Sequence, residues 1–474
     1  MSKVREHVEE LATAVHDAGG RAMLNGGCVR DELMGIEPYD WDIEVYGIAP
    51  HDLRRLLEDF VAELETDDGE RFSLDAVGET FTVYRIGRYL DVSLPRRERK
   101  SGRGHRGFIV EGDPHMSFQE ACKRRDFTVN AILKDAITGE IVDPFGGQAD
   151  IGRKLLRMVS AETFAEDSLR VLRAAQFSAR FEFAIEPLTV ETCKSIDVTD
   201  LPKERIWGEI EKLLLLPRRP SIGLKWLYEL GVVDQLFPEL KALVGVPQEP
   251  DWHPEGDVDV HTLMVVDEAR KLIEELDFPR KVAVMLGAVA HDLGKPSTTE
   301  FVEGRTRSRG HDEAGVEPTL SFLDTLGIHT VHGFDVRDQV IQLVRYHLKP
   351  GEYYKSKSPV GDGAFRRLAR KVEPDLLYRV AKADSLGRNP DWLPKEKRFG
   401  SEAQDWFIEK VRELQIERKP PEPILKGRHL IDLGLVPSPK FKQILDAVYE
   451  MQMDNQVQDL EQAKAEAQRL AVQI

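Results

Sequence analysis

The stretch NGGCVRDELMGIEPYDWDIEVYG, residues 25–47, sets two adjacent glycines before an arginine and then two aspartates one residue apart. Glycine has no Cβ, so a chain ending a strand at Gly26-Gly27 can approach a bulky anion closely and adopt positive φ. The following residues predict a helix from about Val29, whose N-terminal N–H groups would point toward that anion. Arg30 would lie in the first turn of the helix, where it can pair with a phosphate.

The second half of the stretch predicts a strand, in which side chains alternate between two faces. Asp40 and Asp42 therefore project to the same face, and two convergent carboxylates suit a Mg²⁺ ion that carries substrate phosphates. Asp91, in the strand-like segment RYLDVSL, is a candidate third member from a neighbouring strand. A glycine-lined anion site beside these carboxylates predicts phosphoryl transfer from a nucleoside triphosphate.

Composition sets the limits within which these motifs are interpreted. At 474 residues the chain is long enough for about three or four domains, and 41% hydrophobic with 31% charged residues indicates a globular protein. No apolar run approaches the roughly 18 residues of a membrane span, so we expect a cytoplasmic protein without a membrane partner. The three cysteines are scattered and form no CxxC pair, which argues against a disulfide framework and a zinc site. The oligomeric state is left open.

The net charge of −17 at first argues against a nucleic-acid partner, because phosphate binding needs lysine and arginine. The charge is unevenly distributed, however. The segment RRERKSGRGHR, residues 96–106, holds six Lys or Arg against one Glu, and CKRRDF, residues 122–127, adds three more. An acidic protein with such a basic face can still bind RNA.

The chain divides by pattern into four parts. Residues 1–150 alternate helical stretches with short β-like runs, whereas residues 151–245 have the i, i+3, i+4 apolar spacing of helices. The segment VPQEPDWHPEGDVDV, rich in Pro, Asp and Gly, is interpreted as a boundary. Histidine-bearing helices follow over residues 246–390, and a helical tail occupies 391–474.

The glycine–arginine–DxD order resembles the class II tRNA nucleotidyltransferase/poly(A) polymerase family, with Met34 in place of one family leucine. The resemblance covers most of residues 22–215. It continues in order through RRERKSGRGHRGF, RRDFTVNAI (124–132), DPFGG (143–147) and EDSLRVLRAAQFSARF (166–181). It implies an α+β fold with a small mixed-sheet nucleotidyltransferase head, residues 1–150, followed by an all-α, RNA-binding neck, residues 151–245.

Within this resemblance, motif residues take on roles by position. Gly27 and Arg30 would contact the triphosphate, Asp40 and Asp42 would bind Mg²⁺, and Arg125 would contact the incoming nucleotide.

The next helix of the family pattern reads the edge of the base, and its acidic and basic residues match Asp167, Arg170 and Arg173. These positions share one helical face. An Asp accepts from an amino group and an Arg donates to a ring nitrogen or carbonyl, so the pair can imitate a pairing base. Gln176 departs from the family pattern, which usually has a further arginine there.

The segment GAVAHDLGKP, residues 287–296, sets a histidine beside an aspartate on an apolar helix. With distant histidines and an aspartate, this order resembles the HD metal-dependent phosphohydrolase superfamily, whose ligand types suit Mn²⁺, Ni²⁺ or Fe²⁺. The resemblance implies His261, His291, Asp292 and Asp384 as ligands, with His311 and His347 for a second metal. Whether this site hydrolyses anything is left open.

Taken together, these features predict an enzyme that adds CCA to tRNA 3′ ends from CTP and ATP without a template, followed by HD and tail domains, residues 246–390 and 391–474. Three alternatives stay open. The enzyme could add only the terminal A or make poly(A); the HD site could be the main activity; or the chain could be a non-catalytic RNA-binding module. Intact Asp40 and Asp42 argue against the last two.

Overall fold

The structure, a computed structural model, describes residues 3–64, 72–77, 83–100 and 108–473. The second half of the predicted basic segment, residues 101–106, lies outside the described residues. The contacts divide the chain into two units. The first comprises Met1–Leu213 and Ile222–Leu236, and the second comprises Leu214–Ser221 and Phe237–Ile474.

Up to residue 236, strands and helices alternate before a helical stretch. The elements are α1 (Lys3–Asp17), β1 (Arg21–Asn25), α2 (Gly27–Leu33), β2 (Trp41–Tyr46), α3 (Pro50–Glu63), β3 (Leu74–Val77), β4 (Val83–Ile86), β5 (Leu90–Ser93), β6 (Arg96–Lys100), β7 (Phe108–Gly112), α4 (Phe118–Lys123), a 3₁₀ turn (Thr128–Asn130), β8 (Leu133–Asp135), β9 (Ile141–Val142), α5 (Gly147–Arg153), β10 (Leu155–Leu156), α6 (Ala161–Phe164), α7 (Leu169–Phe181), β11 (Ala184–Ile185), α8 (Pro187–Lys194), α9 (Lys203–Leu215), α10 (Pro220–Glu229) and α11 (Val232–Leu236).

Among the described residues, the main sheet of the first unit has seven strands in the order β3-β4-β5-β2-β1-β8-β9. Strands β2 and β5 run parallel and the other neighbours run antiparallel, so the sheet is mixed. Strand β2 lies near the centre and is buried along its length except at Asp42. A central strand favours buried residues, so the exposed side chain of Asp42 is the exception on this strand.

Helices α1 and α3 cover the sheet because their apolar residues recur at helical spacing. In α3 the buried residues are Leu53, Leu57 and Val61, four apart, and Pro50 occupies the first turn, where its missing N–H is not needed. These side chains join those of α1 and the strands in one core. That core holds in place the strands β2 and β5, which carry residues of the cleft described below.

The second unit is helical apart from short hairpins. Its elements are α12 (Pro238–Lys241), α13 (Val258–Lys271), α14 (Phe278–Ala290), α15 (Lys295–Thr298), β12 (Thr299–Val302), β13 (Arg305–Ser308), α16 (His311–Ala314), α17 (Val316–Leu326), β14 (Thr330–Val331), β15 (Phe334–Asp335), α18 (Val336–Tyr346), α19 (Lys349–Tyr354), α20 (Asp362–Ala369), α21 (Pro374–Leu386), a 3₁₀ turn (Lys395–Lys397), α22 (Glu402–Glu413), α23 (Gly427–Asp432), α24 (Pro439–Met453) and α25 (Leu460–Gln473).

Helix α14 is the centre of the second unit, and nearly every residue from Val282 to Ala290 is buried. A helix that is apolar on all sides must be surrounded by others, and α13, α18 and α21 pack against it. Asp277 caps its first turn by accepting a hydrogen bond from the Arg280 N–H. The last three helices, α23 to α25, bury a separate apolar cluster.

The predicted fold class is confirmed, because a mixed-sheet α+β region is followed by mostly helical regions. The four-part division at residues 150, 245 and 390 stays a prediction. Among the described residues, no helix combines the length and the apolar character needed to cross a membrane.

Candidate active site and metal centre

The glycine pair forms a sharp turn between β1 and α2, and the helix begins at Gly27, two residues before the predicted start. Gly26 has a φ of 67°, in the region that favours glycine. A Cβ added there would lie 3.2 Å from Arg125 Nη1. Glycine at 26 therefore lets the backbone pass directly beside the arginine that the sequence predicts to contact the nucleotide.

The three predicted carboxylates lie together in a cleft of 1050 Å³ in the first unit. Asp42 on β2 is paired in register with Asp91 on the parallel strand β5, as expected for neighbouring strands. Asp91 accepts two hydrogen bonds from Arg85, at 2.9 and 3.1 Å. Within the described residues neither Asp40 nor Asp42 has an ion-pair partner inside 4 Å.

The electrostatics of this cluster fit a divalent cation. Desolvation by the cleft walls raises the pKa of Asp42 to about 6, although its side chain is open to solvent at the cleft surface. Desolvation and the negative charge of Asp91 also raise the pKa of Asp40. Carboxylates that repel one another in a cleft are stabilised by a shared cation, so the donor set suits Mg²⁺.

A buried carboxylate that the sequence reasoning missed organises the basic residues beside this cluster. Glu44 accepts hydrogen bonds from Arg124 Nη2 at 2.8 Å, Arg125 Nη2 at 3.3 Å and the Tyr46 hydroxyl at 2.9 Å. Burial disfavours the charged form, but the two guanidinium groups hold the pKa of Glu44 below its ordinary value. Two-residue alternation from Asp40 and Asp42 places Glu44 next on the same face, and that signal could have identified it.

Arg30 lines the cleft but already has partners in the structure. Its guanidinium donates to Asp31 Oδ1 at 2.6 and 2.8 Å and to Asn130 Oδ1 at 2.6 Å. It also lies over the rings of Phe177 and Phe181, at 5.3 and 4.4 Å from their centroids. Arg30 thus joins α2 to α7, and its predicted triphosphate contact stays a prediction.

The predicted base-reading residues all line the same cleft, at and near the start of α7. Asp167 is paired with Arg205, at 3.0 and 3.2 Å, and not with Arg170. The Arg170 guanidinium donates to the backbone carbonyls of Thr163 and Arg124. Arg205, from α9, was missed because the ion pair joins residues 38 positions apart.

Arg173 anchors α7 to the strand-bearing region. It donates to Asp126 Oδ2 at 2.8 Å from Nε and approaches Glu209 at 3.8 Å. Gln176, where the family pattern has an arginine, is buried against the cleft, and its Nε2 has no hydrogen-bond partner among the described residues. The ion pairs of Arg173 therefore form without an arginine at position 176.

In the second unit, the sequence places the histidines at helix ends that meet. His291 and Asp292 directly follow α14, whereas His347 follows α18. Gly294 allows the chain carrying His311 to approach, since a Cβ at 294 would lie 2.0 Å from the His311 carbonyl oxygen. That contact brings His311 to the same point as the other ligands.

Five of the six predicted metal-ligating residues, His261, His291, Asp292, His311 and His347, fall in groups with the spacing of metal ligands. The sixth, Asp384, lies against His261. The ring nitrogen and carboxylate oxygen atoms of these residues lie 3.1 to 3.8 Å from one another. The separate distances are His291 Nε2 to Asp292 Oδ2 (3.1 Å), His261 Nε2 to Asp384 Oδ1 (3.2 Å), His311 Nε2 to His347 Nε2 (3.2 Å), His311 Nε2 to Asp292 Oδ1 (3.3 Å) and His261 Nε2 to Asp292 Oδ2 (3.8 Å).

The ligand atoms themselves test whether the site fits a metal ion. His261 Nε2, His291 Nε2 and Asp292 Oδ2 are buried and lie close to other ionisable groups, but none has a partner with hydrogen-bond geometry among the described residues. Buried polar atoms without hydrogen bonds are costly, whereas imidazole and carboxylate groups converging on one point are suitable ligands for a first-row divalent metal. The residues present therefore fit a metal ion.

A second group of residues, within the segment interpreted as a boundary, supports this cluster. Glu255 accepts from His253 Nδ1 at 2.9 Å and lies 2.6 Å from His261 Nδ1. The two histidines lower the pKa of Glu255 to about 2, although burial opposes ionisation. A carboxylate on Nδ1 directs the Nε2 lone pair toward the metal site. The HxE spacing inside a proline-rich segment was the available signal.

Two cations also lie at the metal centre. Lys295 Nζ is 2.7 Å from Asp292 Oδ2 and donates to Gln248 Oε1 at 2.6 Å. Arg388 Nη2 donates to Asp384 Oδ1 at 2.9 Å. Burial alone would raise the pKa values of both aspartates, but the neighbouring positive groups, Arg388 at Asp384 and His291 with Lys295 at Asp292, hold them well below the usual range.

The cysteines play no part in either site as thiolates. Cys28, Cys122 and Cys193 are all unpaired and buried. Burial raises the thiol pKa of Cys28 and Cys122 to about 11 and that of Cys193 to about 12. Cys28, in α2, donates its S–H to the Asn25 carbonyl.

Three family models match the chain, and the first and the third cover the two sites. Residues 22–157 match the poly A polymerase head domain, residues 182–243 match the "Probable RNA and SrmB- binding site of polymerase A", and residues 258–389 match the HD domain. The first contains the carboxylate cluster, and the third contains the predicted metal ligands.

Among similar proteins, a multifunctional CCA protein of Stenotrophomonas maltophilia is 38% identical over 77% of this chain and 86% of that protein. A second, from Actinobacillus pleuropneumoniae, is 36% identical over 68% of this chain and 74% of that protein.

Solved structures of similar fold cover the whole length of the chain. The Bacillus stearothermophilus CCA-adding enzyme in complex with CTP covers 100% of this chain and 99% of that chain, with a TM-score of 0.65 at 20% identity. The Thermotoga maritima CCA-adding enzyme complexed with tRNA covers 99% and 96%, with a TM-score of 0.58 at 18% identity. From its domain order and these relatives, the chain belongs to the tRNA nucleotidyltransferase/poly(A) polymerase family that carries an HD domain.

Proposed function

We propose that this enzyme adds CCA to the 3′ ends of tRNA from CTP and ATP, without a nucleic-acid template. The observation that carries the proposal is a single cleft lined by the carboxylates Asp40, Asp42 and Asp91 and by the base-reading candidates Asp167 and Arg170. The same cleft can therefore hold a triphosphate at one end and the base of that nucleotide at the other. The names of the relatives support this reaction.

In this reaction the carboxylates would hold Mg²⁺, which supplies charge stabilisation to the attacking and leaving oxygens when bound. The residues of the chain bind and position the nucleotide. Arg125, held by Glu44 and Asn25, would pair with the triphosphate. Gly27 and the adjacent backbone leave room for the phosphates, and Arg30 would contact the phosphates.

Base choice would rest on the start of α7. Asp167, steadied by Arg205, would accept a hydrogen bond from the exocyclic amino group that cytosine and adenine share. Uracil and guanine present a carbonyl oxygen at the corresponding position, which a carboxylate repels. Arg170 and Arg173 would donate to the remaining base edge.

The decisive experiment uses tRNA that lacks its last three nucleotides. The purified protein is incubated with this tRNA and with CTP, ATP or both, and the products are sequenced. We expect CC from CTP and CCA from the mixture. A second substrate, tRNA already ending in CC, is tested in parallel. Addition of A to it, with no use of CTP on the shorter tRNA, would instead identify an A-adding enzyme, and long A tails would identify a poly(A) polymerase.

For the second unit we propose a divalent-metal-dependent phosphohydrolase activity with Mn²⁺, Ni²⁺ or Fe²⁺. His261, His291, Asp292 and Asp384 would hold one metal, and His311 with His347 would hold a second. The buried Nε2 atoms of His261 and His291, which make no hydrogen bond among the described residues, support metal binding here. Hydrolysis of a generic phosphomonoester, compared with and without each metal, tests the activity.

Three further expectations complete the proposal. The head, neck, HD domain and tail would divide at about residues 150, 245 and 390. The enzyme would act in the cytoplasm, where tRNA is matured. Its affinity for tRNA would fall as salt rises, because phosphate contacts release condensed counterions.

A further inference from the structure

Two tyrosines of the first unit lie beside the carboxylates of the cleft without lining it. Tyr39 immediately precedes Asp40, and Tyr89 lies two residues before Asp91. The two segments are joined by a hydrogen bond that the Trp41 N–H donates to the Tyr89 carbonyl oxygen, at 2.8 Å. The tyrosine pair therefore lies at the rim of the carboxylate end of the cleft.

The ring of Tyr39 is held in place and yet is open to solvent. The residue is 74% exposed, and its ring meets that of the partly buried Tyr89 edge to face, with the centroids 5.3 Å apart and the ring planes at 84°. Such a contact orients one ring without covering it. A single exposed aromatic residue is ordinary on a protein surface, so the position of Tyr39 next to Asp40 is what requires an explanation.

A basic side chain accompanies the two rings. Arg88 directly precedes Tyr89 and is exposed, and it has no ion-pair partner among the described residues. Arg85, by contrast, is already paired with Asp91 at 2.9 and 3.1 Å. An open aromatic ring with an unpaired guanidinium nearby suits a single strand of RNA, because the ring can stack on a base and the guanidinium can bind a phosphate.

The geometry of the reaction limits which part of an RNA can reach this rim. The incoming nucleotide would fill the cleft between the carboxylates and the start of α7. The attacking 3′ hydroxyl must also reach the carboxylate end of the cleft. Asp40 is exposed there, so the last nucleotide of the RNA can approach from the side that carries Tyr39. Its base would then lie next to the open ring.

We propose that Tyr39 is the stacking surface for the 3′-terminal base of the tRNA, with Tyr89 orienting the ring and Arg88 binding a phosphate of the same strand. The inference rests on the proposed nucleotide addition and names residues that position its acceptor. The terminal base of the acceptor changes as nucleotides are added. Stacking suits such an acceptor, because every base has a face that an aromatic ring can contact.

The first experiment detects the stack without depending on catalysis. The full-length protein is titrated into tRNA that lacks its last three nucleotides and carries 2-aminopurine, whose fluorescence is quenched by stacking, as its final base. At saturating protein we expect quenching with the wild type and with Tyr39→Phe, which keeps the ring, and little quenching with Tyr39→Ala. Equal quenching by Tyr39→Ala and the wild type would overturn the proposal.

The second experiment separates the acceptor from the incoming nucleotide. Tyr39→Ala should raise the KM for tRNA about tenfold or more and the KM for CTP less than about twofold, while Tyr39→Phe should behave like the wild type. Tyr89→Ala should act in the same direction but more weakly, because the Tyr39 ring remains and loses only its support. An equal rise in both KM values in Tyr39→Ala would mean that Tyr39 supports the carboxylates and does not bind the acceptor.

The matched control is Tyr354→Ala. Tyr354 is also exposed, at 50%, but belongs to the second unit and does not line the cleft. Neither the quenching nor the KM for tRNA should change in this variant. A change equal to that in Tyr39→Ala would mean that loss of any exposed tyrosine has the effect, and would overturn the assignment.

Arg88→Gln tests the phosphate contact. We expect weaker tRNA binding, and a plot of log affinity against log salt concentration whose slope is shallower by about one, because one phosphate contact fewer releases its counterion. The quenching at saturating protein should persist, since the ring is intact. An unchanged slope would overturn the role of Arg88.

Failure of this inference can be told from failure of the proposed function. If the wild type adds CCA but the Tyr39 variants change neither the quenching nor the KM for tRNA, the assignment of Tyr39 is wrong and the function stands. If quenching depends on Tyr39 but neither CTP nor ATP is incorporated, the proposed reaction is wrong and the RNA-binding role of Tyr39 stands.

Discussion

At the scale of single residues, the environment of Asp42 links catalysis to pH. Its pKa is raised to about 6, because desolvation disfavours the charged form. The carboxylate is therefore charged above this pH in the metal-free protein and becomes protonated as the pH falls through it. We expect the apparent affinity for Mg²⁺ in nucleotide incorporation to fall about tenfold per pH unit below pH 6.

The matched variants are Asp42→Asn and Asp40→Asn, which keep the shape and remove the charge. Both should abolish incorporation of CTP and ATP while the circular dichroism spectrum and melting temperature remain those of a folded protein. Near-normal incorporation by either variant, or a flat Mg²⁺ dependence from pH 5 to 7, would contradict a metal role for this pair.

A second prediction at this scale concerns Glu44, which the sequence analysis did not identify. Glu44→Gln removes the negative charge that positions Arg124 and Arg125, both of which face the cleft. We expect a loss of about 1–3 kcal/mol in the free energy of unfolding, because two partly buried cations lose their buried counterion. We also expect a rise in KM for both CTP and ATP, measured by single-nucleotide incorporation.

The control for this variant is Glu32→Gln. Glu32 is paired with Lys134 at 2.8 Å in the same unit, and neither of those two residues lines the cleft. An equal rise in KM in both variants would mean that general destabilisation, and not the position of Arg125, explains the effect.

Residues with roles set by local spacing were predictable, and those set by distant partners were not. Asp40 and Asp42 follow from strand alternation and Asp91 from its place on a neighbouring strand, and the three line one cleft as expected. Strand alternation also places Glu44 on the face of Asp42, but its function depends on arginines about 80 positions away. A pairing at that separation is created by the fold and cannot be read from the spacing.

At the scale of elements, α7 ties base reading to the rest of the first unit. Asp167 is held by Arg205 of α9, and both side chains are about one-third exposed. If Arg205 positions Asp167 for the nucleotide, Arg205→Ala should let UTP and GTP compete better, as Asp167→Ala should. Single-nucleotide incorporation with each of the four triphosphates measures this.

A double-mutant cycle sharpens that test. If the two residues act as one unit, the double variant should be little worse than either single one. Arg54→Ala is the control, since Arg54 is paired with Glu58 at 2.9 Å in the same unit and does not line the cleft. Unchanged selection in Asp167→Ala would place base choice elsewhere.

The helices of the second unit were predicted more reliably than the loop before them. The apolar pattern around His291 predicts a buried helix, and α14 is one. The preceding segment, residues 246–260, was interpreted only as a boundary because Pro, Gly and Asp dominate it. It nevertheless supplies Gln248, Trp252, His253 and Glu255 to the metal centre. Turn-rich composition predicts irregular backbone but does not predict which side chains the turns orient.

At the scale of the whole molecule, the two sites belong to different units of the chain. Replacing His291 and Asp292 together by alanine should remove Mn²⁺ binding and phosphohydrolase activity, and should leave CTP and ATP incorporation within about twofold of the wild type. The reciprocal variant, Asp42→Asn, should retain metal binding in the second unit. Loss of both activities in either variant would mean that the sites depend on one another.

The buried cysteines allow transient opening of the structure to be measured by chemical labelling. Only a thiolate reacts quickly with an alkylating reagent, and Cys28 is both enclosed and bonded to the Asn25 carbonyl at the glycine turn. Alkylation at this position therefore requires α2 to separate transiently from the sheet. The rate of labelling, followed by mass spectrometry without any introduced probe, measures how often that opening occurs, and slower labelling with nucleotide present would measure how far ligand suppresses it.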